Sequence, residues 1–391
     1  METTGVLIVG GGQAGAYAAI ALRQHGYAGS ITMIGDEACL PYERPPLSKD
    51  YFSGEKPFER LLIRPEHFWE ERKITRITGQ KIVAIDPVAH RAITDHGMSL
   101  RYDQCIWAAG GRPRQLSCKG AELKGIYGFR TKQNADEILE KLETVEHVVI
   151  IGGGYIGLES ASALVKKGKR VTLLEAGQRV LARVAGEAIS GYFESLHRRN
   201  GVDIRTGVGL ESFVGTSDVE AVRLPSGEEI SCGMVIVGIG IIPCVAPLLE
   251  AGAKGGNGVE VNAQCQTSLE DIYAIGDCAL HYNPFANGQA VRLESVQNAT
   301  DQAFVAAQTI MGKTMSYESM PWFWSNQYNT RLQTIGLSGG YEREIVRGDP
   351  AEDRFSVYYL VDEKIIAIDC VNSPKDFVQG RKLIHQKFVA L

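Results

Sequence analysis

Glycines at a fixed spacing are the residues of this sequence that most directly indicate chemistry. The segments VLIVGGGQAG (residues 6–15) and VVIIGGGYIG (residues 148–157) each carry an apolar, β-branched run followed by G-x-G-x-x-G. At the start of a helix, this spacing lets a dinucleotide pyrophosphate lie against backbone N–H groups and the positive end of the helix dipole. The sequence therefore predicts two dinucleotide sites. A nicotinamide and a flavin bound by one chain would exchange electrons.

Carboxylates follow both glycine clusters at the distance where an adenosine ribose is bound. Asp36 and Glu37 come roughly 20 residues after the first cluster, and the spacing does not choose between them. Glu175 ends the second predicted strand, where it would meet a ribose 2′-hydroxyl. A carboxylate there repels a 2′-phosphate, so the sequence favours NADH over NADPH unless Arg179 or Arg183 turns inward.

Helices and strands alternate around both clusters. After the first cluster, the hydrophobic periodicity predicts a helix over residues 16–24 and a strand over 30–34. After the second, it predicts a helix over 158–167 and a strand over 170–174. Each cluster therefore opens a βαβ unit.

Further elements close these units and add a third region. Predicted strands cover 105–113, 235–243 and 271–279, a long helix covers 294–311, and alternating strands cover 355–360 and 365–371. The pattern predicts an α/β fold with two Rossmann-like dinucleotide-binding domains and a small α+β C-terminal domain. The predicted boundaries are 1–112 with 244–314 for the first domain, 113–243 for the second and 315–391 for the third.

Composition restricts the classes of partner. The chain has 391 residues, of which 44% are hydrophobic and 22% charged, with a net charge of -5. These values indicate a globular protein and argue against nucleic-acid binding. No apolar run reaches the roughly 20 residues of a membrane span, and the first strand begins too close to Met1 for a signal peptide. We expect a cytoplasmic protein.

The cysteines lack the spacing of a redox or metal site. The eight are scattered without any C-x-x-C pair: Cys39, Cys105, Cys118, Cys232, Cys244, Cys265, Cys278 and Cys370. This pattern is typical of reduced thiols in a cytosolic chain. We expect no disulfide framework, no metal site and no dithiol chemistry.

Six ordered motifs identify a resemblance that covers essentially the whole chain. They are VGGGQAG, LPYERPPLSK (residues 40–49), IGGGYIGLE (151–159), IGDCA (275–279), ESVQNA (294–299) and PWFWSNQY (321–328). In these motifs the chain resembles the FAD-dependent, NADH-using ferredoxin reductases of bacterial oxygenase systems, which share the glutathione-reductase-like fold. The resemblance implies that electrons pass from NADH through FAD to a [2Fe-2S] ferredoxin. That ferredoxin would feed a haem-thiolate monooxygenase or a ring-hydroxylating dioxygenase.

The resemblance also implies roles for individual residues. FAD would contact the backbone of Gly10, Gly12, Ala14 and Gly15, the carboxylate of Asp36 or Glu37, and Arg44, Lys49, Ile82, Ala109, Gly110, Arg130, Asp277 and Val296. NADH would lie on Gly152, Gly154, Gly157 and Glu175, and Gly240 is a further cofactor-binding residue. Ala109 departs from the family, which commonly has threonine in this turn. Asp277 also ends an apolar strand, where a carboxylate is well placed to accept hydrogen bonds from ribityl hydroxyls.

Two further groups are assigned to the reaction itself. By the resemblance, Lys49 and Glu159 form an ion pair beside the flavin N5, although the sequence alone favours a solvated lysine and an exposed glutamate. Trp324 either packs in a strand core or walls the flavin where electrons leave. Because ferredoxins are acidic, a basic rim is a plausible docking surface, drawn from Arg64, Arg292, Lys313 and Arg331. We expect a monomer or a weak homodimer.

Two other functions remain open. Cys39 lies near the position of the redox cysteine in NADH peroxidases, NADH oxidases and coenzyme A disulfide reductases. The segment that follows it, LPYERPP, argues against that class because the group has a glycine-led turn. A non-enzymatic flavoprotein that responds to NADH by changing conformation is the second alternative.

Overall fold

The computed structural model describes residues 2–286 and 288–385. Its α-helices are, in chain order, α1 (Gln13–Gln24), α2 (Asp50–Ser53), α3 (Glu66–Glu71), α4 (Lys132–Leu142), α5 (Tyr155–Lys166), α6 (Glu187–Arg199), α7 (Ala246–Glu250), α8 (Val296–Ile310) and α9 (Pro374–His385). Both glycine-cluster helices begin three residues earlier than predicted, because Gly12 and Gly154 cap them in extended conformation.

The strands belong to several sheets. They are β1 (Glu2–Val9), β2 (Ile31–Gly35), β3 (Ile74–Thr78), β4 (Ile82–Asp86), β5 (Arg91–Thr94), β6 (Ser99–Trp107), β7 (Gly111–Pro113), β8 (Ile126–Gly128), β9 (His147–Ile151), β10 (Arg170–Glu175), β11 (Asp203–Thr206), β12 (Ser212–Gly215), β13 (Val219–Arg223), β14 (Glu229–Ser231), β15 (Met234–Val237), β16 (Ile241–Pro243), β17 (Gly255–Gly256), β18 (Gly258–Val261), β19 (Ile272–Ala274), β20 (Ala279–Tyr282), β21 (Ala290–Val291), β22 (Trp322–Gln327), β23 (Thr330–Gly336), β24 (Arg343–Asp349), β25 (Arg354–Val361) and β26 (Lys364–Val371).

Three predicted strands are interrupted by glycines. Gly110 (φ +61°), Gly240 (φ +92°) and Gly276 (φ +76°) lie in the left-handed region, which an extended strand does not enter. The predicted strands 105–113, 235–243 and 271–279 therefore end early, at Trp107, Val237 and Ala274 respectively. Each glycine sits where the chain turns at the carboxyl end of a strand.

The first compact unit consists of residues 1–43, 58–112 and 242–321. Its main sheet has the order β3-β2-β1-β6-β5-β4, with β19 paired to β6. The pairs among β1, β2, β3, β6 and β19 are parallel, so these strands end at the same edge. Helices α1 and α8 pack together on one face through small residues such as Ala18 and Ala303.

The second compact unit consists of residues 44–57, 113–241 and 322–391. It contains a five-stranded parallel sheet of order β11-β10-β9-β15-β8. A three-stranded antiparallel sheet follows, with the order β12-β13-β14. The C-terminal strands form an antiparallel sheet of order β22-β23-β26-β25-β24, against which α9 packs. The predicted fold class is confirmed by these sheets.

A buried histidine of the first unit makes stability depend on pH. His281 on β20 is 3% exposed, and burial lowers its pKa to about 4. Between this value and the ordinary pKa near 6.5, the unfolded chain binds a proton that the folded chain does not bind. The contribution of this residue to stability is therefore complete at neutral pH and declines as the pH falls from about 6.5 towards 4.

We expect His281→Gln to reduce the loss of stability between pH 7 and pH 5 by about 2 kcal/mol, because glutamine takes up no proton on unfolding. Denaturant unfolding of both proteins at the two pH values measures this difference. His96→Gln, which changes an exposed histidine, is the control. Equal pH dependence in wild type and His281→Gln would contradict the expectation.

Candidate functional site

Steric constraints shape the first glycine cluster. Gly10 has φ +120°, and a Cβ atom there would lie 2.2 Å from the Ala108 carbonyl oxygen. A Cβ atom at Gly15 would lie 1.9 Å from the Gly10 carbonyl oxygen. The N-cap residue Gly12 brings no side chain to the first-turn amides of α1. The amides therefore remain open to an anion, as a pyrophosphate site requires.

Several other predicted residues gather at this edge of the first unit. Asp277 lies in a 3-10 turn directly after β19, and a Cβ atom at the neighbouring Gly276 would lie 3.0 Å from the Cβ of Ala14. The Gly276 amide donates to Gln302 Oε1 of α8 at 2.7 Å. Val296 is the first residue of that helix. The structure thus brings together the starts of α1 and α8 and the turn that carries Asp277.

The strand that follows the first glycine cluster ends in a glycine, whereas the corresponding strand of the second unit ends in Glu175. Gly35 ends β2, and a Cβ atom there would lie 2.9 Å from the Gly11 amide nitrogen, so no larger residue fits. Asp36 follows as an exposed residue. Glu37 is half-buried, and the Tyr42 hydroxyl donates to its Oε2 at 2.5 Å. Both carboxylates stay candidates for the ribose.

Ile82 belongs to the buried hydrophobic cluster of the first unit against which Ala109 packs. The Gln80 amide donates to the Gly35 carbonyl at 3.1 Å, two residues before β4 begins at the buried Ile82. Gly110 lies beyond the end of β6, which is parallel to β1. These positions agree with a single cofactor site in the first unit. The contact of each residue with the cofactor stays a prediction.

The second glycine cluster repeats the same steric device. Gly152 has φ +108°, and a Cβ atom at Gly157 would lie 2.0 Å from the Gly152 carbonyl oxygen. Gly154 caps α5 without a side chain. Gly240 turns the chain after β15, and its carbonyl accepts from the Arg114 amide at 2.9 Å. This cluster can therefore also receive a pyrophosphate on backbone amides.

Glu175 is fixed at the end of β10. Its Oε2 accepts from the Gly153 amide and its Oε1 from the Gly177 amide, both at 2.6 Å. A carboxylate oxygen has further lone pairs that can accept from ribose hydroxyls. The nearby Arg179 is occupied, since its Nη1 donates to the Ala185 carbonyl at 2.8 Å. Arg183 is exposed.

Lys49 and Glu159 form a buried ion pair within the second unit. Lys49 Nζ lies 2.6 Å from Glu159 Oε2, and the two side chains are 12% and 2% exposed. Ser48 Oγ donates to the same Oε2 at 2.9 Å, and Ser325 Oγ donates to Oε1 at 2.7 Å. Neither residue is solvated as the alternative interpretation allowed. Their role toward a cofactor stays a prediction.

The two serines were missed by the sequence analysis. Ser48 adjoins Lys49 in the PPLSK motif, which was the available signal. Ser325 follows the alternating Trp322 and Trp324 on β22, so a small polar residue on the face opposite these tryptophans was the corresponding signal. Trp324, on the aromatic face, is half-buried.

Comparison with known proteins decides the family. The model of the pyridine nucleotide-disulphide oxidoreductases matches residues 4–303, and the reductase C-terminal model matches residues 322–390. The 5,5′-dehydrodivanillate O-demethylase ferredoxin reductase subunit of Sphingobium sp. is 52% identical over 97% of this chain and 92% of its own length. A ferredoxin–NAD(P)+ reductase of Sphingomonas sp. is 51% identical over 98% and 93%. The chain belongs to the ferredoxin reductases of bacterial oxygenase systems.

A solved structure agrees with this membership. The covalent complex of putidaredoxin reductase with putidaredoxin matches with a TM-score of 0.95 and 38% identity over 100% of this chain and 94% of that chain. Ferredoxin reductases of this family use FAD and a nicotinamide dinucleotide, as predicted. The two glycine clusters fit these cofactors, because each forms a tight loop and leaves the first-turn amides of its helix without a side-chain cap.

Other predicted residues of this ferredoxin reductase lie in the second unit. Arg44 Nη1 donates to the Arg130 carbonyl at 3.0 Å, and Trp324 lies on β22. The structure gives no ligand contact for these three, so their places beside the flavin stay predictions.

The predicted basic rim of the reductase requires one correction. Arg292 is 10% exposed, donates to the Asp277 carbonyl at 2.8 Å and pairs with Glu294 at 2.8 Å. It therefore anchors the Asp277 turn instead of presenting charge. Arg64 is half-buried with its guanidinium 5.5 Å from the Phe68 ring.

The thiols of the reductase are mostly shielded. Burial raises the pKa of Cys278 and of Cys370 to about 12, and it raises the pKa values of Cys105 and Cys265 further. These four remain protonated and unreactive at neutral pH. Cys39 is half-buried in the loop after β2.

In the described residues, no helix combines the length and apolar character needed to cross a membrane.

We expect Gly157→Ala to raise the KM for NADH at least about tenfold while FAD stays bound, because the added methyl group displaces the start of α5. Steady-state kinetics and the flavin content of the purified protein measure the two effects. The control is Gly191→Ala in α6, where an added Cβ meets no atom within 4 Å. An unchanged KM would show that the second glycine cluster does not bind NADH.

We expect Glu175→Ala to lower the preference for NADH over NADPH by roughly tenfold or more, because it removes the charge that repels a 2′-phosphate. The ratio of kcat/KM for the two cofactors measures this preference. Glu220→Ala, which removes an exposed carboxylate on β13, is the control. If the ratio stays constant, another residue determines the selection.

Proposed function

We propose that this chain transfers electrons from NADH through FAD to a [2Fe-2S] ferredoxin that supplies a monooxygenase or a ring-hydroxylating dioxygenase. The overall reaction oxidises one NADH and reduces two ferredoxins, with release of one proton. The observation that carries the proposal is the presence of two sterically restricted dinucleotide clusters in one chain. Relatives above 50% identity that are named ferredoxin reductases support the acceptor class.

The first cluster is assigned to FAD and the second to NADH. FAD, when bound, accepts a hydride and releases its two electrons singly, which links a hydride donor to a one-electron acceptor. Gly10, Gly12, Ala14 and Gly15 would bind its pyrophosphate through the backbone. In addition, Asp277 would accept from the ribityl hydroxyls, and the start of α8 at Val296 would stabilise negative charge.

The second unit holds the nicotinamide cofactor. Gly152, Gly154 and Gly157 would bind the pyrophosphate, and Glu175 the adenosine ribose. Arg179 is engaged by the Ala185 and Gly186 carbonyls and is therefore not poised to bind a 2′-phosphate, which supports NADH over NADPH. Lys49 and Glu159 would orient the nicotinamide carboxamide, since their ion pair is shielded from solvent and held by two serines.

The remaining residues and the domain boundaries are assigned from the resemblance to the same family. We assign Arg44, Arg130, Ile82, Ala109, Gly110 and Trp324 to the flavin surroundings and Gly240 to the nicotinamide site. We place the FAD-binding domain at 1–112 and 244–314, the NADH-binding domain at 113–243 and the C-terminal domain at 315–391. The eight cysteines, all of them free of disulfide bonds, support a cytoplasmic location. A monomer or a weak homodimer is the proposed oligomeric state.

Anaerobic mixing of the NADH-reduced protein with a two-iron ferredoxin tests the acceptor. Bleaching of the iron–sulfur absorbance, two ferredoxins per NADH, is the expected result. A one-iron rubredoxin, hydrogen peroxide and coenzyme A disulfide are the comparison acceptors. Faster reaction with peroxide or disulfide, lost in Cys39→Ser, would replace the proposal with single-cysteine chemistry.

We expect Lys49→Met and Glu159→Gln each to lower the limiting rate of flavin reduction by NADH roughly ten- to hundredfold, because a misplaced nicotinamide reacts slowly. Anaerobic stopped-flow absorbance measures that rate. Lys141→Met removes a lysine that pairs with Asp218 at the surface and should leave the rate unchanged. Wild-type rates in both variants would remove the ion pair from the mechanism.

A further inference from the structure

A chain of buried polar side chains ends at the Glu159 carboxylate. Ser325 and Gln327 lie on the same face of β22, and His197 lies on α6. Their exposed fractions are 0% for Ser325, 1% for Gln327 and 0% for His197. Gln327 Nε2 lies 3.1 Å from Ser325 Oγ, and His197 Nε2 lies 2.7 Å from Gln327 Oε1. Tyr328 completes the chain, with its hydroxyl 3.2 Å from His197 Nδ1.

The direction of every hydrogen bond follows from the carboxylate. An ionised carboxylate only accepts, so the single Ser325 proton points to Glu159 Oε1. Ser325 Oγ must then accept from the Gln327 amide nitrogen, which turns the Gln327 carbonyl toward His197. His197 Nε2 therefore carries a proton, and the neutral ring accepts at Nδ1 from the Tyr328 hydroxyl. All donors point toward Glu159.

The neutral state of His197 agrees with this direction. Burial lowers the pKa of His197 to about 4, so the ring carries one proton at neutral pH. The amide of Gln327 does not exchange a proton between its nitrogen and oxygen as a hydroxyl or imidazole does. The chain therefore orients its members and does not conduct protons.

The carboxylate is consequently held at both oxygens. Oε2 accepts from Lys49 and Ser48, which precede α2, and Oε1 accepts from Ser325 of the C-terminal sheet. A second contact fixes this sheet to the same helix, because the Tyr328 amide donates to Ser162 Oγ of α5 at 2.8 Å. Rotation of the Glu159 carboxylate would break one of these bonds.

We propose that Ser325, Gln327 and His197 are positioning residues that orient the Glu159 carboxylate and, through it, the Lys49 ammonium group for hydride transfer. This inference rests on the proposed role of the Lys49–Glu159 pair. It assigns to the C-terminal sheet a function in the reaction of NADH. Tyr328 donates to His197 Nδ1 at the far end of the chain, which agrees with the tautomer set by the Gln327 carbonyl.

Anaerobic stopped-flow reduction by NADH tests the inference in variants of the complete, FAD-loaded protein. Ser325→Ala removes the donor to Glu159, and Ser325→Thr restores a hydroxyl. Gln327→Met removes the next donor at nearly constant volume. Ser356→Ala is the matched control, because Ser356 is also 0% exposed, lies in the same sheet and donates to Asp376 instead.

We expect Ser325→Ala to lower the limiting rate of flavin reduction roughly tenfold, with Ser325→Thr or Gln327→Met less affected and Ser356→Ala unchanged. The apparent NADH dissociation constant should change little. The long-wavelength absorbance between nicotinamide and flavin should weaken in Ser325→Ala. Unfolding midpoints of Ser325→Ala and Ser356→Ala show whether lost stability alone explains the rate.

Two results separate the possible failures. If Glu159→Gln slows reduction but both Ser325→Ala and Gln327→Met keep the wild-type limiting rate, the positioning role is wrong and the proposed function stands. If Glu159→Gln also reacts at the wild-type rate, the ion pair has no part in hydride transfer and both proposals lose their basis. A change confined to NADH affinity would likewise overturn the positioning role.

Discussion

A pyrophosphate reaches the amides at the start of a helix only where no side chain intervenes, and this steric requirement determines the loop between β1 and α1 and the loop between β9 and α5. At Gly15 and Gly157, one added Cβ atom would lie 1.9 Å and 2.0 Å from a carbonyl oxygen of the same loop. The loops can be this tight because Gly10 and Gly152, whose carbonyl oxygens are approached, both have positive φ. Within each unit, the turns at the carboxyl ends of the neighbouring parallel strands then lie at the same edge of the sheet as the glycine cluster.

Burial of the Lys49–Glu159 pair is the second constraint. Removing two charges from water costs several kcal/mol per ion unless hydrogen bonds replace the lost solvation. Glu159 of α5 accepts from Lys49 and Ser48 of the PPLSK segment and from Ser325 of β22, so three separate segments of the chain meet at this carboxylate. The packing of the PPLSK segment, α5 and β22 is thereby tied to one carboxylate. This dependence explains why a polar network occupies a buried position that apolar residues would fill with a smaller desolvation penalty.

Structure could be predicted from the sequence wherever the local spacing of residues determines it. The glycine clusters, the alternation of helix and strand, and Glu175 at a strand end all follow from rules that involve neighbouring residues. Spacing did not reveal that Gly35 excludes a carboxylate from the corresponding place in the first unit, since this depends on an approach to Gly11. Arg292 likewise looked available because its bonds to Glu294 and the Asp277 carbonyl form only after folding.

Ser325 and Glu159 are separated by 166 residues, and each lies within a different one of the two family models that match this chain. The hydrogen bond between them therefore joins two modules that sequence comparison treats as independent. Exchange of C-terminal modules between reductases is restricted as a result. An incoming module must supply a donor at the Ser325 position, or the recipient glutamate loses the hydrogen bond at one of its two oxygens.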